Sequence, residues 1–94
     1  QGNYSEALKN YSVSLKISKE MNNKRTISDS YNNIGLVYFD QGNYPEALKN
    51  YFAALKIKEE TNDKEGISGC YSNIKQLYLC TITKSNGCTT GSYQ

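Results

Sequence analysis

The 94-residue sequence has no histidine, no tryptophan, one proline and one methionine. Without histidine the usual general base at neutral pH and the usual nitrogen ligand for zinc are both missing. The three cysteines contain no CxxC spacing, so a zinc site is not expected. No serine or cysteine stands with a base, and no glycine-rich phosphate loop of known pattern is present. The sequence therefore points away from an enzyme and calls for neither a cofactor nor a metal. It also lacks any apolar run of about 18 residues, which leaves no candidate membrane-spanning helix. Neither sign of charge dominates. Eleven Lys and Arg stand against nine Asp and Glu, for a net +2, so no strong field points to nucleic acid or an acidic membrane. Hydrophobic content is 37%, low for a globular chain and suited to a thin array with much exposed surface. The length allows at most one small domain.

Cys70 and Cys80 fall ten residues apart on one predicted helix, about 15 Å of rise and beyond disulfide reach. Cys80 and Cys88 could pair only if the tail folds back. Three reduced thiols in a cytoplasmic setting are the plainer expectation.

What is present is a repeat. Gln41–Ile57 reads QGNYPEALKNYFAALKI, and Gln1–Ile17 reads QGNYSEALKNYSVSLKI. The 40-residue offset continues: Lys24 recurs as Lys64, Ile27 as Ile67, Tyr31 as Tyr71, Asn33 as Asn73, Ile34 as Ile74 and Tyr38 as Tyr78. About 22 of 40 positions are identical without a gap. Eight of the nine tyrosines form repeat pairs, so they read as packing residues rather than stacking platforms for bases.

Apolar periodicity predicts four helices. The first runs about Tyr4–Met21, with Ala7, Leu8, Tyr11, Ser14 and Leu15 on one face; Ser5 is an N-cap type of residue, and Pro45 at the matching place suits a first helical turn. The second runs about Lys24–Asp40 behind a cap at Asn23, with Ile27, Tyr31, Ile34 and Tyr38 inward. Gly35 beside that face implies close approach of a neighbouring helix, since a helical glycine otherwise costs about 1 kcal/mol. The third runs about Pro45–Thr61, with Ala47, Leu48, Tyr51, Ala54 and Leu55 inward and Phe52 and Ile57 flanking. The fourth runs about Lys64–Cys80 behind a cap at Asp63, with Ile67, Tyr71, Ile74 and Tyr78 inward. Lys9, Lys16, Lys49 and Lys56 form a solvated outer band, and the acidic group Glu59, Glu60, Asp63 and Glu65 reads as solvation of helix ends. Lys75 and Gln76 replace Gly35 and Leu36, and residues 81–94 are polar and expected to be a disordered tail.

Tyr31, Ile34-Gly35, Tyr38, Ala47, Tyr51 and Ala54, with the Gly42–Tyr44 turn, resemble the tetratricopeptide repeat. The 40-residue period, in place of the usual 34, is similar to the longer variant of kinesin-light-chain-like and bacterial signalling arrays. The resemblance implies an all-α solenoid of antiparallel helix pairs in B–A–B–A order. Residues 1–22 would be a half-repeat, 23–62 a full repeat and 63–80 a second half, the whole being a piece of a longer array. It further implies a protein- or peptide-binding module whose A helices line a concave groove. On the helical wheel Asp29, Asn33, Leu36 and Asp40 share a strip with Asn32 and Phe39 beside it, and Gly69, Asn73 and Gln76 lie on the matching strip. Asparagines at the Asn33 and Asn73 position grip ligand backbones in the family, and an amide can donate and accept at once. Asp29 and Gly69 stand where a carboxylate clamp would need a cation, so a neutral or basic segment is the expected ligand. The alternatives are a structural spacer, self-association through half-repeat faces, or the sensor segment of a larger signalling protein.

Since such arrays need about three repeats for independent stability, the chain alone is expected to melt low and with weak cooperativity. Calorimetry checks this. A sharp monomeric transition well above about 60 °C would contradict it.

Overall fold

In the computed structural model, residues 3–83 are described. They form four α-helices and, among the described residues, no strand. The helices are α1 (Tyr4–Glu20), α2 (Lys24–Asp40), α3 (Tyr44–Glu60) and α4 (Lys64–Thr83). Each packs on the next, giving a row of antiparallel helices.

One turn design joins them three times. Each joint has three residues, and its middle residue is left-handed: Asn22 at φ 55°, Gly42 at φ 81° and Asn62 at φ 58°. Asparagine and glycine are the residues that adopt this region at least cost. In each joint the third residue's N–H donates five residues back: Asn23 to Ser18, Asn43 to Tyr38 and Asp63 to Lys58, at 2.8–2.9 Å. That bond uses a carbonyl the helix end would otherwise leave unpaired. The third residue then starts the next helix. Asn23 Oδ1 accepts from the Thr26 N–H at 3.2 Å, and Asp63 Oδ1 accepts from the Gly66 N–H at 3.0 Å. At α1 and α3 the cap positions are Asn3 and Asn43, without a side-chain cap bond. Ser5 therefore lies inside α1 and not at its cap, because the chain enters the helix two residues earlier.

The core centres on α3. Ala47 and Ala54 are fully buried and Tyr51 is 1% exposed. A Cβ on Gly35 would lie 2.7 Å from Tyr51 Cδ1 and Cε1 and 3.2 Å from the Ala47 carbonyl oxygen. The glycine of α2 and the alanines of α3 thus let the two helices close until the phenol ring lies on the α2 backbone. Burial pushes the Tyr51 phenol pKa up, and the nearby Asp40 adds to the shift. The expected inward residues Ile27, Ile34, Ala47, Tyr51, Ala54, Leu55 and Ile74 are buried.

Three expectations are corrected. In α4, Tyr71 and Tyr78 are exposed, and the buried side carries Cys70, Ile74, Leu77 and Cys80. In α2 the Tyr31–Gly35–Tyr38 stripe meets α3, the helix that follows it. Among the described residues no helix follows α4, so its matching stripe has nothing to pack on. Helix α4 also continues to Thr83, past the expected start of the polar tail at 81; residues 84–94 lie outside the described ones. Cys70 is a free, buried thiol, whereas Cys80 is disulfide-bonded, which corrects the expectation of three reduced thiols.

The repeat also provides its own comparison at the other end. Ala7, Tyr11, Ser14 and Leu15 of α1 are only half-buried, while their counterparts Ala47, Tyr51, Ala54 and Leu55 are buried.

Two glycines separate packing from propensity. Gly35→Ala gains about 1 kcal/mol of helix propensity but overpacks the Tyr51 contact at a cost of roughly 1–3 kcal/mol, so net destabilisation is expected. At Gly69 a Cβ meets nothing within 4 Å, so Gly69→Ala is expected to stabilise by about 0.5–1 kcal/mol. Urea unfolding of both variants measures the opposite signs.

Candidate functional site

The face shared by α2 and α4 is where the sequence strip falls. Three of its side chains meet there. Asn32 Nδ2 donates to Cys70 Sγ at 3.7 Å, Cys70 Sγ–H donates to Asn32 Oδ1 at 3.9 Å, and Asn73 Nδ2 donates to the same oxygen at 3.5 Å. These bonds tie α2 to α4 directly across α3. Burial pushes the Cys70 thiol pKa up, opposed by the hydrogen bond with Asn32, so the thiol stays protonated and inert at neutral pH. Asn33, half-buried beside them, makes no side-chain hydrogen bond among the described residues. Leu36 is half-buried against the core cluster. Gly69 and Gln76 are exposed on α4.

The other strip residues lie elsewhere. Phe39 is 3% exposed, with its ring centroid 5.4 Å from that of Tyr44. It packs into the joint between α2 and α3 and offers no surface to a ligand, which corrects its place on the exposed strip. The wheel put it beside Leu36, but the close approach of α3 covers that side. Asp40 is half-buried, and its Oδ1 has no partner among the described residues. Its backbone carbonyl accepts from Tyr4 OH at 3.5 Å.

Asp29 belongs to a cluster that the sequence reading missed. Lys58 of α3 is 5% exposed. Its ammonium donates to Asp29 Oδ1 at 3.0 Å and to Asp63 Oδ2 at 3.3 Å. One cation thus pins the start of α4 to the side of α2. Gly66 makes this possible, because a Cβ there would come within 2.4 Å of Lys58 Cδ. An open depression of about 630 Å³ lies at this end of the face, lined by Arg25, Asp29, Lys58, Thr61, Asp63, Glu65 and Gly66. Burial alone would lower the Lys58 pKa, but its bonds to Asp29 and Asp63 prevail and raise it. The Asp63 carboxyl is held low, first by the Gly66 N–H and then by Lys58. The missed signal was a difference between the copies: Ser18, Asn23 and Thr26 become Lys58, Asp63 and Gly66. The first set carries no charge, the second a cation, an anion and the room for both. Lys9, Lys16, Lys49 and Lys56 are exposed, as read from their spacing. Among the described residues no group of His, Cys, Asp or Glu could hold a metal ion, and no helix is long and apolar enough to cross a membrane.

Helix pairs in a row, closed by one repeated joint and offering one helix of each pair to a shared face, define an α-solenoid of hairpin repeats. Residues 28–60, which span most of α2 and all of α3, match the family model of the tetratricopeptide repeat, and the chain carries a repeat of that family. No curated protein and no solved structure matches it. Tetratricopeptide repeats generally mediate protein–protein interaction.

The clamp sets a pH window. Asp63 has a folded pKa below the ordinary carboxylate value, so its stabilising contribution is present above that ordinary value and is lost as pH falls through the folded pKa. Lys58 has a folded pKa above 10.5, so its contribution is full below 10.5 and is lost as pH rises through the folded pKa. The Tyr51 phenol and Cys70 thiol, also raised, add to the alkaline loss. Stability by urea titration is expected to be flat at neutral pH and to fall at both extremes. Lys58→Met, which keeps the aliphatic stem, is expected to make the acid limb shallower without abolishing it, because the Gly66 N–H still holds the Asp63 carboxylate; an unchanged limb would remove the clamp from the account.

Proposed function

We propose that the chain binds an extended peptide or protein segment along the α2/α4 face, with Asn33 holding the ligand backbone. The observation that carries this is the contrast among the three asparagines. The Asn32 and Asn73 amides are joined to each other, whereas the half-buried Asn33 keeps both donor and acceptor uncommitted among the described residues. A peptide unit offers one N–H and one C=O, which a single free amide can meet together. Asn73 takes the second position with only part of its hydrogen-bonding capacity in use, so its share is the smaller one. Leu36 gives apolar contact, with Gln76 and the open backbone at Gly69 on the far wall. At this end of the groove Asp29, Asp63 and Glu65 outnumber the cations Arg25 and Lys58, which favours a neutral or basic segment over a C-terminal carboxylate.

Panning the chain against a displayed library of random decapeptides tests the reading. Enrichment of neutral or basic sequences is expected, with binding reduced at least about tenfold by Asn33→Ala and less by Asn73→Ala. Enrichment of acidic C-termini, or full binding by the double variant, would refute it.

A further inference from the structure

We propose that Cys80 and Cys88 form a redox clasp that seats the segment after α4 on the α2/α4 face, where it stands in for a bound peptide. The gating half of this rests on the peptide-binding reading of that face. The chain has three cysteines. Cys70 is free and buried, and Cys80 is disulfide-bonded. The cysteine that remains is Cys88, outside the described residues. Cys70 is no rival, because it stands on the same helix as Cys80, about 15 Å away along its axis.

The repeat does not continue at this place. Residues 81–84 read TITK where the repeat has QGNY, and α4 runs on to Thr83 through the positions where α2 gives way to a joint. The sequence supplies a reversal instead. Asn86-Gly87 is a turn dipeptide just before Cys88. The anchor point fixes which side of α4 the returning segment meets. Cys80 lies on the groove strip, one turn past Gln76 and two past Asn73, and is 2% exposed within the core cluster. Tyr78, Leu79 and Ile82, on the other sides of the same turns, stand exposed. A chain bonded to Cys80 is therefore tethered at the groove and not on the tyrosine stripe.

The segment also suits the face chemically. The acid at this end of the strip is Asp40, and residues 84–94, KSNGCTTGSYQ, carry one lysine and no acid. Residues 89–94 span about 20 Å when extended, against about 10 Å of helix rise from Cys80 back to Asn73. Closing the clasp removes two electrons and two protons from the two thiols, delivered to a disulfide oxidant. Opening it runs by exchange with a dithiol reductant. One thiolate of the dithiol attacks the Cys88 sulfur, since Cys80 is buried, and Cys80 leaves as a thiolate that takes up a proton. The second thiolate then displaces Cys88, and the reductant departs as its own disulfide.

The test uses the 94-residue chain oxidised, reduced with dithiothreitol, and as Cys88→Ser, whose folding is checked by circular dichroism. Alkylation after unfolding is expected to label one thiol in the oxidised chain and all three after reduction, with peptide mapping joining Cys80 to Cys88. Reduction and Cys88→Ser are each expected to shift the backbone amides of Asn33, Leu36, Asn73 and Gln76 and to leave Tyr71 in place. Peptides from the random decapeptide library selected on the reduced chain are expected to bind the oxidised chain at least about tenfold more weakly. Three labelled thiols before reduction, a bond mapped to Cys70, or shifts confined to the tyrosine stripe would overturn the clasp. Asn33-dependent library binding of equal strength in both redox states would overturn the gating and leave the binding face intact. Amide shifts on the strip with no library binder in either state would uphold the seat and refute the peptide-binding reading.

Discussion

Everything in this molecule is set by how closely α3 lies on α2. The Tyr51 ring sits where any side chain at position 35 would be, and the small residues Ala47 and Ala54 remove the remaining bulk. A contact this close fixes both the separation and the rotation of the helices, because the ring can rest on bare backbone at one place only. With α3 so placed, the amides of Asn32 and Asn73 come within bonding distance, and Lys58 reaches carboxylates on both neighbours. The groove walls are therefore secondary consequences of an aromatic ring meeting a glycine.

The polar ties come from this placement and add selectivity to it. A buried ammonium is costly unless well paired, so Lys58 discriminates against arrangements that leave Asp29 or Asp63 out of reach. The amide pair carries less energy, and its 3.5 Å separation makes it a weak bond. It matters because it commits one asparagine of each helix inward. Asn33 is left as the residue with hydrogen-bonding capacity to offer. The proposed site is thus defined by subtraction.

Much of this was legible in the residues. Helix positions followed from apolar spacing, and joints from the caps at Asn23 and Asp63 and the Gly42–Tyr44 turn. Both readings rest on local chemistry that a chain carries wherever it is placed. The close approach at Gly35 was legible too, because a helical glycine needs a reason. The failures share a cause. Phe39, Tyr71 and Tyr78 were assigned sides from a wheel that treats every helix as having one neighbour. Here α2 has three, and α4 lacks, among the described residues, the one that would cover its tyrosines. Lys58 was overlooked because lysine is read as surface by default, and its partners lie 29 residues upstream and 5 downstream. The strip at Asn32, Asn33 and Asn73 was read from the helical wheel and the family resemblance, yet which amide stays uncommitted depends on sub-ångström placement that no pattern contains.

The identical three-residue joints bear on which length changes the chain can absorb. Adding or removing one residue within a helix turns everything beyond it by about 100°, which would swing a tyrosine off its glycine. Gaining or losing a whole 40-residue unit leaves each joint congruent with the next and the Tyr51 ring above Gly35. Duplication in whole units is thus the cheap form of variation for this fold, and the near-identity of Gln1–Ile17 and Gln41–Ile57 is the imprint such copying leaves.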